Sequence, residues 1–424
     1  MLNRPLAQAA PRLARSLLRW RPGDYLHASA GLFVWLLFRA AGQAVLVIAL
    51  ARLLGAAGYG HFITVLAVAT FFTPLAGLGL QGILLRDGAR NPQGIPRQLG
   101  AALRLWWPST AWFGAIGVVV ALLALPHGAQ ASAVAALVLA EVGSSSLVEL
   151  LARVHQALHR THRYGAILTG LVLARLVALA AYALLARPSL SGWMWAYAAS
   201  SLVYMGWLLA HAQREFKPAR TPSVPVWPLV REGLPFALGA LSLRLQAEFN
   251  KPVLAQLGFA VAGNFNAAQR AVDIAGLPLL AMQEALWARL YASADPKRRM
   301  LITAAILVLL ALCGGVVLYM LAPLLPLLLG PGFEPTVHLL QWLAWLPAVQ
   351  VMRNFVNFQA LATYRTHLLT TAYFTAGIAS IIFNLLLISS YGPAGAVSAV
   401  YLTEFTGIIT FAALQRLTHK VAWL

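Results

Sequence analysis

Apolar runs of about 20 residues recur from residue 30 to residue 415, and they limit the possible folds more than any other feature of this sequence. Each run can cross a bilayer core of roughly 30 Å as an α-helix. Hydrophobic residues make up 60% of the chain and charged residues only 10%, whereas an ordinary soluble domain carries roughly 25% charged residues. So much apolar sequence also excludes a disordered chain. The sequence therefore predicts an all-α, polytopic membrane protein.

We predict about twelve transmembrane helices. Basic residues concentrate in the N-terminal segment, in every second connection and in the tail, whereas the other connections carry only Arg52 and Arg187 near helix ends. Because Lys and Arg favour the cytoplasmic side, both termini are expected in the cytoplasm. The predicted spans are 30–54, 59–84, 104–125, 130–151, 165–186, 192–212, 232–257, 262–288, 300–326, 336–362, 368–389 and 393–415.

The charge balance is strongly basic, with 31 Lys and Arg against 12 Asp and Glu and a net charge of +19. We expect no nucleic-acid partner, because membrane proteins concentrate basic residues in their cytoplasmic loops. The single Cys313 excludes an intrachain disulfide, and no Cys or His cluster has metal-ligand spacing. Residues 9–22 fit either a basic amphipathic helix lying on the inner leaflet or a solvated basic tail.

A segment with four prolines, 213–231, separates the predicted spans into two sets of six. The Leu, Gly, Gly and Phe of 54–62 recur at the same spacing in 257–265. Two related six-helix bundles around a central cavity are a known way to build a transporter. The expected organisation is a basic cytoplasmic or interfacial segment at 1–29, a bundle at 30–212, a cytoplasmic linker at 213–231, a second bundle at 232–415 and a cytoplasmic tail at 416–424.

Four stretches carry a family resemblance that runs in order along almost the whole chain. They are ARLLGAAGYGHF (51–62), REGLPFALGAL (231–241), LLLGPGFEPTVHLLQWLA (327–344) and NLLLISSYGPAGAVSAVYLTE (384–404), the last ending at Glu404. They resemble the polysaccharide exporters, the lipid-linked oligosaccharide (O-antigen-type) flippases of the multidrug/oligosaccharidyl-lipid/polysaccharide exporter superfamily.

The resemblance implies a flippase that moves a polyprenyl-diphosphate-linked oligosaccharide across the bacterial inner membrane by alternating access, for the assembly of lipopolysaccharide or another surface polysaccharide. Its expected partners are that substrate, the membrane lipids and other polysaccharide-assembly proteins. We expect no cofactor beyond a coupling ion, a proton or sodium. The chain departs from the family pattern at Gly77 and at Asn250-Lys251, where members often carry an acidic residue and an acidic–basic pair.

Charges inside apolar spans are the candidate functional residues, because an Arg or Lys at mid-bilayer costs about 2.5–3.5 kcal/mol and normally faces a cavity or a partner. Guanidinium groups bind phosphate oxygens in pairs, so these cations predict a cavity for a diphosphate. Arg353 also stands among Gln350 and two asparagines that suit a sugar path. The predicted substrate-binding residues are Arg39, Arg244, Lys251, Arg270, Arg353, Asn354 and Asn357.

Local ion pairing is the alternative interpretation of the same charges. Glu248 lies four residues after Arg244 and three before Lys251, and Asp273 lies three after Arg270, so each shares a helix face with its neighbour. One glutamate cannot neutralise two cations, which favours the cavity. Arg39 and Arg353 have no carboxylate within a helical turn.

The acids Glu141, Glu248 and Asp273 are the predicted ion-coupling residues. Glu141, deep in a span, fits either a proton relay or an ion-pair partner of Arg39 or Arg175. Glu149 is expected to pair with Arg153, four residues on.

Two other classes of function compete with a flippase. A drug/cation antiporter on the same fold needs an anionic cavity, whereas the deep charges here are mostly cationic. A membrane glycosyltransferase or polymer ligase needs a large polar loop on the outer side, whereas the outward connections are short and nearly uncharged. The sequence contains no catalytic constellation, so we expect a transporter and no enzyme.

Overall fold

The computed structural model describes residues 24–126, 128–185, 187–219, 226–291, 296–362 and 366–421, and this part of the chain is helical with no strands. The predicted N-terminal segment 1–29 lies almost wholly outside the described residues. The helices are α1 Asp24–Ala76, α2 Leu80–Arg90, α3 Ile95–Ala124, α4 Ala131–Ala157, α5 Thr161–Leu185, α6 Leu190–Phe216, α7 Val226–Glu248, α8 Asn250–Ala255, α9 Phe259–Tyr291, α10 Pro296–Leu321, α11 Leu325–Leu329, α12 Thr336–Leu343, α13 Leu346–Ala362 and α14 Thr366–Val421.

Two helices each contain a sharp bend at a glycine. Gly55 in α1 has φ 68° and ψ 175°, and Gly392 in α14 has φ 58° and ψ −135°. Positive φ angles are strained for side chains with a Cβ, so glycine is the residue that permits these bends. Ala376 and Gly407 are in contact distance across the bend of α14, so the chain reverses there and the helix supplies two successive spans.

Six stretches of the described chain are long and apolar enough to cross a membrane, and two of them contain these bends. The other predicted spans coincide with α6, α7–α8, α9 and α12–α13, which are more polar or interrupted. The prediction of an all-α polytopic membrane fold is confirmed, and the twelve predicted spans agree roughly with the observed helices.

Two predicted spans are interrupted, for identifiable reasons. The span predicted at 59–84 breaks where Leu78 and Gly79 take positive φ angles, between α1 and α2. The span predicted at 232–257 breaks at Phe249, between α7 and α8. Pro252 explains the second break, because it has no N–H to donate to the carbonyl of Glu248 and its ring clashes with that carbonyl in a continuous helix.

We call residues 24–219 the N-terminal half and residues 226–421 the C-terminal half. The largest hydrophobic core contains residues of both, among them Phe62 and Trp193 from the first and Phe265 and Phe333 from the second. A second core lies within the N-terminal half, around Trp106. The halves are therefore joined by a shared apolar core at the end of the molecule where α1 bends.

The halves also approach closely at glycines near both ends of the second arm of α1. A Cβ on Gly60 would lie 1.7 Å from the carbonyl oxygen of Phe259, and one on Gly263 would lie 2.5 Å from that of Ala56. We name this the Gly60 contact. At the opposite end, a Cβ on Gly79 would lie 2.0 Å from the carbonyl oxygen of Gly233, and we name this the Gly79 contact. Only glycine allows backbones to pack at these distances.

Candidate functional site

A cavity of about 260 Å³ lies between the two halves. Both arms of α1 and parts of α4, α5 and α6 line it from the N-terminal half, and α7 and α9 line it from the C-terminal half. Its lining contains equal numbers of arginines and carboxylates. These are Arg39, Glu141, Glu149 and Arg175 from the N-terminal half, and Arg244, Glu248, Arg270 and Asp273 from the C-terminal half.

The N-terminal half contributes a buried ion pair of Glu141 and Arg175. The Arg175 guanidinium donates to the Glu141 carboxylate at 2.5 Å, and Tyr197 and Ser145 donate to the same carboxylate at 2.7 and 2.6 Å. The guanidinium also lies 4.2 Å from the centre of the Tyr197 ring and donates to Ser201. Of the two partners that the sequence left open for Glu141, the structure therefore brings Arg175 to it and not Arg39.

The C-terminal half contributes a network centred on Glu248. Its carboxylate pairs with Lys251 and accepts a hydrogen bond from Arg270 at 3.2 Å. Arg270 in turn lies 3.5 Å from Asp273. The local pairs Glu248–Lys251 and Arg270–Asp273, expected from helical spacing, are both present.

Lys251 itself does not line the cavity. Its side chain is buried, and the cavity surface is formed by Glu248 and Arg270 instead. Lys251 therefore does not continue the cavity-facing stripe of Arg244. Its buried ammonium group pairs with Glu248, and the Glu248 carboxylate lines the cavity in its place.

Arg244 and Glu149 form an ion pair between the halves. Arg244 Nη2 donates to Glu149 Oε1 at 2.9 Å. The expected pairing of Glu149 with Arg153 is therefore wrong, and Arg244 also does not pair with Glu248 as the alternative interpretation proposed. Arg153 instead donates to Gln156 at 2.6 Å. Spacing along one helix identified neighbours on that helix, but the partner that is closest in space lies on another helix.

Arg39 differs from the other cavity arginines. Within the described part of the chain, no carboxylate oxygen lies within ion-pairing distance of its guanidinium, whereas Arg175, Arg244 and Arg270 each have one. The four carboxylates of the cavity face its four arginines and also Lys251, which pairs with Glu248. These groups together therefore carry one positive charge in excess. The cavity is therefore nearly balanced, which corrects the expectation of mostly cationic deep charges, and its excess charge is located at Arg39.

Arg353, Asn354 and Asn357 do not line this cavity, and their role in substrate binding stays a prediction. Arg353 donates to both oxygens of Glu404, at 2.7 and 2.8 Å. Asn354 donates to Gln283 at 2.8 Å, and Asn357 lines a small separate pocket with Arg353 and Glu404. The reason is that α13 packs against α14, and Glu404 on α14 supplies the carboxylate that the local sequence lacks.

Sequence reasoning missed several uncharged polar residues of the cavity. Asn266 donates to the Tyr59 hydroxyl at 2.5 Å across the two halves. The remaining polar lining includes Gln43, Thr70 and Thr73. Isolated polar residues on apolar helices carry little signal, because Thr side chains also bond to their own helix, as Thr70 does to the Ala67 carbonyl at 2.7 Å.

The two ends of the cavity are closed by different chemistry. At the Gly60 contact the His61 ring of the N-terminal half and the Phe259 ring of the C-terminal half stack with their centres 3.8 Å apart. Beyond the Gly79 contact, Arg86 bridges the halves by donating to Glu232 at 2.8 Å. Hydrogen bonds from Arg86 to Asp87 and Glu232 raise the pKa of Arg86, so its guanidinium stays charged at physiological pH.

A fold of bent and broken apolar helices enclosing a charged cavity between two halves defines a class of multi-pass membrane proteins. The structure is similar to that of "Lipid II flippase MurJ, inward closed conformation", with a TM-score of 0.72 and 11% identity over 91% of this chain and 87% of that chain. It is also similar to an outward-facing multidrug resistance MATE family transporter of the MOP superfamily, with a TM-score of 0.62 and 15% identity over 96% of this chain and 98% of that chain. These similarities show the fold.

The family follows from the sequence. The sequence model of the family described as "Polysaccharide biosynthesis protein" matches residues 30–286, so the chain belongs to this family. Comparison with curated proteins finds no match. The resemblance to polysaccharide exporters and the polytopic membrane fold are therefore confirmed.

Proposed function

We propose that the protein is a flippase that moves a polyprenyl-diphosphate-linked oligosaccharide from the cytoplasmic to the outer leaflet of the bacterial inner membrane, for the assembly of a surface polysaccharide such as O-antigen. The family description and the fold shared with a lipid II flippase support a lipid-linked substrate. Transport of this kind breaks no covalent bond, so the proposal requires no catalytic residue.

One observation carries the proposal: the cavity between the halves presents arginines from both sides, and Arg39 has no carboxylate partner among the described residues. A guanidinium binds phosphate oxygens through paired hydrogen bonds. A diphosphate between Arg39 and Arg244 would neutralise the excess charge and connect the two halves. The polyprenyl tail would remain in the lipid, since it gains nothing from a polar cavity.

The size of the cavity supports alternating access. Pockets that enclose a drug-sized ligand measure roughly 300–1,000 Å³, and this cavity measures about 260 Å³. An oligosaccharide therefore enters only after the halves separate at one end. The backbones of the halves approach closely at the Gly60 and Gly79 contacts, and we propose that these two contacts open alternately.

Coupling to an ion gradient is part of the proposal, with Glu141, Glu248 and Asp273 as the candidate acids. Asp273 is the most accessible of the three, with 42% of its side chain exposed and its nearest cation 3.5 Å away. Glu141 and Glu248 are held by several donors. We therefore infer that Asp273 is the acid that can take up a proton or sodium with least rearrangement.

The proposed orientation places both termini and the 213–231 linker in the cytoplasm. The basic connections support it through the preference of Lys and Arg for that side. A topology reporter fused after Leu424 should report a cytoplasmic location. A periplasmic location of that reporter would overturn the proposed orientation.

The experiment that tests the function is reconstitution of the purified protein in liposomes with a lipid-linked oligosaccharide in the inner leaflet. We expect the sugar to become accessible to an external lectin while the mass of the lipid-linked sugar stays unchanged. A changed mass would indicate a glycosyltransferase or ligase. Transport of a cationic drug without movement of the sugar would indicate an antiporter, the alternative favoured by the similarity to MATE transporters and by the cavity carboxylates.

A further inference from the structure

The pair Arg244–Glu149 has a unique position among the ion pairs of the cavity in the described part of the chain. Glu141–Arg175 lies within the N-terminal half, and Glu248 with Lys251, Arg270 and Asp273 lies within the C-terminal half. Arg244 and Glu149 alone join a cavity cation of one half to a cavity carboxylate of the other. Any separation of the halves at the cavity must therefore break this pair.

This pair is also held more weakly than its neighbours. The side chains of Arg244 and Glu149 are 40% and 34% exposed, whereas those of Arg175 and Glu141 are 11% and 6% exposed. One hydrogen bond joins them, while Glu141 accepts hydrogen bonds from three side chains. Exposed ion pairs with one contact contribute little to stability, so another anion can replace Glu149 at low cost.

A diphosphate and a carboxylate are competing ligands of the same guanidinium. Both accept paired hydrogen bonds from arginine, and the diphosphate carries more charge. Arg39 interacts electrostatically with both members of the pair, so two guanidinium groups and one carboxylate leave a local excess of one positive charge. An incoming anion is attracted to this set and not repelled from it.

We propose that Glu149 occupies Arg244 while the cavity is empty and that the diphosphate of the substrate displaces it. This inference rests on the proposed function, because it names the residue that competes with the diphosphate of the substrate for Arg244. Substrate binding then removes the ion pair that joins the halves at the cavity. The diphosphate, which is smaller than the sugar, thereby releases the contact that opposes entry of the sugar, and without diphosphate this ion pair holds the halves together at the cavity.

The test is binding of inorganic diphosphate to the purified full-length protein, compared with Glu149→Gln and Glu334→Gln. Glu149→Gln removes the competitor, so we expect its dissociation constant to fall by up to about fivefold, the upper limit for an exposed ion pair. Glu334→Gln is the matched control, because it makes the same change of side chain and net charge at an exposed carboxylate outside the cavity lining. Its dissociation constant should change by less than half as much.

The outcomes separate this inference from the function on which it rests. If the wild type binds diphosphate and Glu149→Gln binds it equally or more weakly, competition by Glu149 is wrong and the flippase proposal stands. If both variants bind more tightly by the same factor, general electrostatics explains the effect and the inference fails. If no form binds diphosphate, the anionic site itself is wrong.

A distance measurement provides a readout that does not depend on affinity. Spin labels at Arg90 and Leu417, both exposed and in different halves, can be introduced after replacement of the single Cys313. We expect diphosphate to shift the wild-type distance distribution and Glu149→Gln to show that shift without diphosphate. Identical distributions for wild type and Glu149→Gln in the empty state would overturn the proposal.

Discussion

Two arginine–glutamate pairs in the cavity use the same chemistry with opposite consequences. Glu141–Arg175 is buried, lies within one half and has three donors on the carboxylate. Glu149–Arg244 is partly exposed, joins the two halves and has one hydrogen bond. The difference teaches that burial and partner number, not residue type, decide whether a charge in a membrane span fixes the fold or remains available for a ligand.

Breaking the buried pair should have the largest effect on stability. Removal of one partner from a buried ion pair leaves an uncompensated charge and costs about 3–5 kcal/mol. We therefore expect Glu141→Ala to lower the melting temperature strongly and to reduce the amount of folded protein in the membrane. The double variant Glu141→Leu with Arg175→Leu should recover much of that stability, because no buried charge is left alone.

The role of Glu141 as a proton relay is tested separately. Glu141→Gln keeps a hydrogen-bonding side chain of the same shape. Loss of pH-dependent transport in a folded Glu141→Gln protein would identify a relay, whereas normal transport across the pH range would leave Glu141 with its structural role.

Gly60→Ala should have a smaller effect, because it perturbs the contact between the halves and leaves the charges intact. The added Cβ would lie 1.7 Å from the Phe259 carbonyl oxygen, so the backbones must separate. Overpacking of this kind costs about 1–3 kcal/mol. We expect cysteine accessibility from the Gly60 end of the cavity to increase. Gly206→Ala is the control, since nothing lies within 4 Å of its added Cβ, and an equal response of both variants would exclude a specific contact at Gly60.

Breaking the exposed pair should have the smallest effect on stability. Exposed ion pairs contribute about 0–1 kcal/mol, so the melting temperature of Glu149→Gln should stay close to that of the wild type. Thermal unfolding of Glu149→Gln beside Glu141→Ala measures the contrast directly. A loss of stability as large as that of Glu141→Ala would show that the two pairs are equivalent and would remove the basis for the comparison.

The fold was accessible from the sequence because its determinants are local. The length of the apolar runs identifies the spans. Gly55 and Gly392 lie at the bends that connect the first span to the second and the eleventh span to the twelfth. Pro252 marks the break after Glu248 in hindsight, but prolines inside membrane helices are often tolerated. For that reason the predicted span continued to residue 257 and placed Lys251 in the cavity.

The pairing of charges was only partly accessible from the sequence. Partners three residues apart, such as Glu248 with Lys251, follow from helical geometry and were predicted. The partners of Arg244 and Arg353 lie 95 and 51 positions away. No local spacing identifies such pairs, because they depend on how separate helices pack. Arg39 was recognised as a cation without a local partner, and among the described residues the fold supplies none.

The most direct test of the central claim is export of the lipid-linked sugar by Arg39→Ala and Arg244→Ala at equal protein levels in the membrane. If these arginines hold the diphosphate, each variant should lose at least about tenfold in rate, since hydrogen bonds to charged groups contribute about 1.5–3 kcal/mol. Arg244→Lys should retain only part of the wild-type export, because lysine cannot bind phosphate through two parallel hydrogen bonds. Arg187→Ala, which changes an arginine outside the cavity lining, should export normally. Wild-type export by both cavity variants would contradict the claim that this cavity binds the substrate.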